Sequence, residues 1–174
     1  MSERTVLFEG RFLRLVRRDG WEWCERVRAS GVVGVIAVTP ARALILVEQH
    51  RPPVDARVIE LPAGLAGDLA DAPEEELVVA ARRELMEETG WEADDWALVT
   101  DGPASAGLTN ERVHLFHATG LRKTGPGGGD GSEDIVVHEI PIDGLLAWLA
   151  ERRRAGVLHD PKVIAALAVL ASGR

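Results

Sequence analysis

The chain has 174 residues, 46% hydrophobic and 28% charged, the balance of one ordinary folded domain rather than a disordered segment. Its formal charge of -8, with no dense basic run except Arg152 to Arg154, argues against nucleic acid as a partner, because that affinity comes from neutralising many phosphates. Cys24 is the single cysteine, which rules out an intramolecular disulfide and a multi-thiolate metal site; with no signal core at Met1 to Arg4 and no apolar run approaching ~18 residues, a reducing cytoplasm is expected and a membrane is not.

In chain order, residues 5–17 and 21–28 read as two strands around Asp19-Gly20, a dipeptide suited to a hairpin turn. Residues 32–38 and 43–48 read as a second pair separated by Thr39-Pro40, the first so apolar that a central strand is expected. A short strand at 58–61 ends at Pro62-Ala63-Gly64, where the chain must leave strand geometry. Residues 74–89 give the strongest helix signal, with Leu77, Val78, Ala81 and Leu85 on one stripe, three glutamates at the start where the helix dipole favours anions, and Gly90 as the stop. Later strands are expected over 96–100, 112–118 and 135–139, with a mobile glycine-rich loop between the last two. Two helices close the chain, over 142–155 and 161–171, the second capped by Asp160 and begun by Pro161. The composite is α/β or α+β, a mixed sheet with helices packed on it.

The chemistry concentrates on the long helix. Arg83-Glu84-Leu85-Met86-Glu87-Glu88-Thr89-Gly90-Trp91 sets Glu84 and Glu88 one turn apart and Glu87 three residues from Glu84. Glu84 and Glu88 project close to Leu77 and Ala81, at the margin of the apolar stripe. Like charges four apart cost roughly 0.2–0.5 kcal/mol even in water, and partial burial adds to that. The plain alternative is a solvated acidic face paired with Arg82 and Arg83. A divalent cation would turn the repulsion into attraction, and magnesium prefers carboxylates, waters and phosphates.

These residues resemble the Nudix box at every fixed position of its ending, Arg-Glu-apolar-any-Glu-Glu-any-Gly-apolar. The upstream glutamate of that box is Glu75, with seven residues between it and Arg83. The box glycine expected before it is replaced by Leu69; Gly64, in Glu60-Leu61-Pro62-Ala63-Gly64, is its counterpart, which implies a loop about five residues longer than usual. Val47-Glu48-Gln49-His50-Arg51, then Glu60 to Gly64, then Ser105-Ala106-Gly107-Leu108-Thr109-Asn110-Glu111, is similar to the ADP-ribose pyrophosphatase branch. That branch usually carries proline sixteen residues after the box glycine, where this chain has Ala106, so reaction type is better specified than substrate.

The resemblance implies a Nudix fold, a mixed β-sheet sandwiched by helices over residues 31–174, with residues 1–30 as an antiparallel strand extension that builds a homodimer. It implies magnesium, with manganese as the substitute, on Glu84, Glu87, Glu88 and the backbone carbonyl of Ala63. Glu87 and Glu88 are then catalytic, and Arg83 holds the glutamates by bidentate contacts, a surface ion pair being the alternative. Glu133 is the candidate general base, with Asp130 and Asp134 left open. Arg51 is a candidate for gripping a phosphate or stacking on a base, or else an exposed strand-end arginine. Gly107 and Glu111 are candidates on the substrate side, Glu111 toward the terminal sugar. The five histidines show no metal spacing. The expected substrate is a small nucleoside diphosphate compound, ADP-ribose first, with another nucleotide sugar or a dinucleotide cofactor behind it. A ligand-sensing module is the non-enzymatic alternative, against which the intact glutamates count.

Overall fold

The structure is a computed structural model that describes residues 3–68, 72, 74–129 and 134–172. It opens with β1 (Thr5–Glu9), β2 (Leu13–Arg18) and β3 (Trp21–Arg26), an antiparallel sheet in the order β1-β2-β3. Asp19 and Gly20 take φ of 51° and 82°, the paired left-handed residues that make a two-residue turn match strand twist. The single strand expected over 5–17 is in fact two. Gly10 turns the chain back, its N–H donating to the Leu13 carbonyl at 2.8 Å.

Next come β4 (Gly31–Ala37), β5 (Ala43–Arg51), β6 (Ala56–Glu60) and β7 (Ala63–Ala66), then α1 (Leu77–Thr89). They are followed by β8 (Trp91–Glu92), β9 (Asp95–Pro103), β10 (Arg112–Thr119), β11 (Arg122–Lys123), β12 (Val136–Pro141), α2 (Leu145–Arg154), β13 (Leu158–His159) and α3 (Pro161–Ala171). One mixed sheet has the order β7-β4-β10-β9, a second β12-β5-β6-β13, and β11 pairs with β8. The expected pairing of β4 with β5 is reduced to a single bridge, Val38 to Leu44. A turn at Thr39–Arg42, with Arg42 at φ 59°, sends each strand to the centre of a different sheet. That explains why both are apolar on both faces.

Helices cover the strands on two sides, as a mixed α/β sandwich requires. Val33, Val35 and Phe116 pack with Ala80, Ala81 and Leu85 of α1. The opposite faces, with Ile36, Leu46, Ile59 and Leu115, pack with Leu145 and Leu149 of α2 and Val163 and Ala166 of α3. Burying a leucine such as Leu85 contributes about 1.5–3 kcal/mol, so α1 is anchored by its apolar stripe and its orientation is fixed. The helix starts at Leu77, three residues later than the sequence pattern suggests, with Glu76 in extended conformation before it. No described helix is long and apolar enough to cross a membrane.

Candidate active site

The segment after β6 does leave strand geometry at Leu61-Pro62, but only to start β7, which pairs antiparallel with β4 and brings Ala63 opposite Gly34. This short strand lies under α1. The Ala63 N–H donates to Glu88 Oε2 at 2.9 Å, and Glu88 is only 3% exposed. A carboxylate this deep is costly unless its oxygens are engaged. Gly64 comes so close to α1 that a Cβ there would lie 2.0 Å from the Glu84 carboxyl carbon, so any side chain at this position would have to displace the Glu84 carboxylate.

Arg83 organises the acidic side chains. Its Nε and Nη2 donate to Glu75 Oε1 and Oε2, both at 3.1 Å, a bidentate fork. Nη2 also donates to the Leu65 carbonyl of β7 at 3.0 Å, and Nη1 donates to Glu84 Oε1 at 2.8 Å and Glu87 Oε2 at 3.2 Å. One guanidinium therefore ties three glutamates and the β7 backbone together. The Glu75 hydrogen bonds, with the nearby Glu84 charge, hold Arg83 firmly protonated. Burial pushes the Glu84 carboxyl above the usual carboxylate range, with the Arg83 charge opposing that push.

Among the described residues, no three His, Cys, Asp or Glu side chains converge in metal-ligand geometry, and Glu84 and Glu87 are splayed around the shared guanidinium. The donor chemistry still fits a hard divalent cation. All three side chains are carboxylates, Glu84 and Glu88 are drawn against β7, and Gly64 leaves the backbone open beside Glu84.

The three substrate-side candidates fall in separate places. Arg51, at the end of β5, donates to Glu60 Oε2 at 2.6 Å. Glu111 accepts from Arg26 of β3 at 2.5 Å and lines a cavity of about 400 Å³ with Asn110, His114, Gly31 and Leu77. Gly107 lines a second cavity of about 480 Å³ with Trp21 and Trp23. Glu25 and Asn110 line both, so those two cavities adjoin while Arg51 stands apart. The loop carrying Gly107 is tied to the N-terminal sheet, the Cys24 N–H donating to the Leu108 carbonyl at 2.8 Å. Glu133 and Asp130 lie outside the described residues.

Two features were not legible in the motifs. Glu48, 3% exposed on β5, accepts from Arg57 Nε at 2.7 Å, His138 Nε2 at 2.9 Å and Arg152 Nη2 at 2.6 Å. Its signal in the sequence was a charge closing the apolar run from Ala43 to Val47. Arg57 also donates to Asp134 at 2.7 Å, so the candidate base Asp134 is already committed to an ion pair. The second feature is the glycine-rich segment: expected to be mobile, it is hydrogen-bonded over residues 124–129 to the end of α1.

The sequence model of the NUDIX domain family matches residues 28–160. A methanol dehydrogenase activator from Bacillus methanolicus is 34% identical over 97% of this chain and 92% of its own length. An ADP-ribose pyrophosphatase from Bacillus subtilis is 32% identical over 84% of this chain and 75% of its own, and a GDP-mannose pyrophosphatase from Cronobacter sakazakii is 31% identical over 79% and 71%. A crystal structure of an ADP compounds hydrolase shares the fold, with a TM-score of 0.70 over 98% of this chain and 90% of that one at 17% identity.

Proposed function

This chain belongs to the Nudix hydrolase family and is a pyrophosphohydrolase, and from that premise we propose that it splits ADP-ribose into AMP and ribose 5-phosphate with magnesium held by Glu84, Glu87, Glu88 and the Ala63 carbonyl. The observation that carries the metal part is the buried Glu88, fixed by the Ala63 N–H beside a Glu84 whose ionised form is penalised by burial. The single Arg83 charge does not balance the carboxylates of Glu75, Glu84, Glu87 and Glu88, so the partly dry cleft calls for a further cation, and a phosphorylated substrate supplies none. Bound there, magnesium or manganese supplies the positive charge that the pyrophosphate oxygens and the leaving oxygen need.

The protein's own groups do the positioning. Glu75, through its fork to Arg83, sets where Glu84 and Glu87 stand, and β7 sets Glu88. Glu133 remains our candidate for taking the proton of the attacking water, with Asp130 as the substitute. Arg51, Gly107 and Glu111 are proposed substrate contacts; Arg51 and Glu111 must exchange their partners Glu60 and Arg26 for substrate, or share them.

ADP-ribose is preferred because the chain follows that branch outside the box, in residues 47–51, 60–64 and 105–111. The B. subtilis relative carries the same name. The GDP-mannose pyrophosphatase is almost as similar, so another nucleotide sugar or a dinucleotide is the second reading. The test is a panel of ADP-ribose, GDP-mannose, a dinucleotide and nucleoside triphosphates with magnesium, products separated by chromatography. ADP-ribose should have the highest kcat/KM; a triphosphate that wins would reject the substrate and leave the family standing. We further propose residues 1–30 as a dimer-forming extension to a catalytic domain over 31–174, and the cytoplasm as its compartment.

A further inference from the structure

The last four carbonyls of any α-helix lack partners within the helix, and they form the negative end of its dipole. In α1 that end carries Glu87 and Glu88, with no basic residue in the last turn to offset them. A separate piece of chain supplies what the helix lacks. The Gly129 N–H donates to the Glu87 carbonyl at 3.0 Å and the Gly128 N–H to the Glu88 carbonyl at 2.7 Å. Lys123 Nζ donates to the Thr89 carbonyl at 2.9 Å, and the Thr124 and Gly125 N–H groups donate to the Gly90 carbonyl at 2.8 and 3.0 Å. All four terminal carbonyls are thereby engaged, two of them on the carboxylate-bearing residues themselves.

At Gly127 the approach is too close for a side chain. Gly127 has φ +70°, and a Cβ on it would lie 2.4 Å from the Thr89 carbonyl carbon. Gly125, in the same segment, tolerates one: its nearest neighbour would be Gly90 Cα at 3.8 Å. Lys123 is held over the Trp91 ring at 5.3 Å, so its ammonium stays at the helix end.

We propose that residues 123–129 are a strap that fixes the last turn of α1, and so the placement of Glu87 and Glu88 for metal binding, with Gly127 and Lys123 as positioning residues. The inference rests on the metal reading above. Its physical basis is that a displacement of about 1 Å in a reacting constellation costs on the order of a hundredfold in rate.

The test compares Gly127→Ala, Gly125→Ala and Lys123→Met with the parent by amide exchange over residues 123–129, Mn2+ binding followed by electron paramagnetic resonance, and kcat and KM separately. Gly127→Ala should lose exchange protection in the strap, bind Mn2+ about tenfold more weakly and lose about tenfold or more in kcat, with KM changed less than about threefold. Gly125→Ala should match the parent. Lys123→Met decides the matter without backbone strain, and does so even if Gly127→Ala fails to fold. Removing a cation near a metal site should tighten Mn2+ binding by electrostatics alone, whereas loss of positioning weakens it. Tighter or unchanged Mn2+ binding in Lys123→Met, or parental Mn2+ binding and kcat in an unprotected Gly127→Ala, overturns the strap. A parent that neither binds Mn2+ nor hydrolyses any pyrophosphate sinks the metal reading and the strap together, a result distinct from either variant outcome.

Discussion

Replacing Glu88 with Gln removes one charge and leaves the shape. In the parent the Ala63 N–H donates to the Glu88 carboxylate at 2.9 Å, and the amide oxygen of Gln can still accept that bond, without the charge. A charge-assisted bond is roughly twice as strong as a neutral one, so about 1 kcal/mol is lost there. Relief of the like-charge contact with Glu84 one turn away returns about 0.2–0.5 kcal/mol, and a buried amide is easier to desolvate than a carboxylate. The metal-free variant should therefore melt within about 4 °C of the parent. Sequence reasoning alone counts only the repulsion and predicts a slight gain in stability; the bond to Ala63 removes that gain. Activity should behave differently. Loss of a carboxylate that holds the transition-state charge through its cation should cost a hundredfold or more in rate, equivalent to about 2.7 kcal/mol. Thermal melts with and without magnesium, beside turnover, read both quantities. A Glu88→Gln protein that turns over normally but melts many degrees lower would mean the residue is a structural clamp between α1 and β7, and the catalytic argument would be refuted.

Glu133→Gln should lower kcat far more than it raises KM; if turnover stays near the parent's, Asp130 is the next base to test. Glu48→Gln should destabilise the protein at neutral pH by about 1–3 kcal/mol, since it removes the charge shared by Arg57, His138 and Arg152, of which Arg57 keeps Asp134. Burial alone would raise the Glu48 carboxyl, but hydrogen bonds from Arg57, His138 and Arg152 outweigh it and hold the group below the usual range. Its contribution is thus present above the unfolded-state value and lost as pH falls through the folded one, so parent and variant melting curves should converge in acid; a gap that persists unchanged there would remove the ionic explanation. Light scattering should show a dimer, because Phe8 and Trp21 of the N-terminal sheet and Phe12 of the turn between β1 and β2 are each about two-thirds exposed. A fully active monomer at micromolar concentration would discard that assignment.

The carboxylate helix was legible because two independent patterns coincide on it: an apolar stripe of period 3.6 fixes which face is buried, and the fixed acidic spacing puts Glu84 and Glu88 at its edge. The terminal helix beginning at Pro161 was equally plain, since Asp160 both precedes a proline and caps the Lys162 N–H. What failed was long-range. Two consecutive apolar strands look like a hairpin, and nothing local says that the Thr39–Arg42 turn sends β4 and β5 into different sheets. β7 has four residues, three of them small, and no alternation, so its strand character comes from pairing with β4. The glycines from 125 to 129 read as slack because composition reports freedom of the backbone. In the fold Gly127 serves close approach, a use that shows only once the end of α1 is placed against it.

If a divalent cation on the glutamates of α1 drives cleavage of a nucleoside diphosphate, a metal-restoration assay on ADP-ribose reads it out. Protein stripped with EDTA should be inactive, magnesium should restore turnover, and the products should be AMP and ribose 5-phosphate in equal amounts. Turnover that survives thorough removal of divalent ions would show that the glutamates work without a cation, and products that leave the pyrophosphate bond intact would rule out pyrophosphate cleavage.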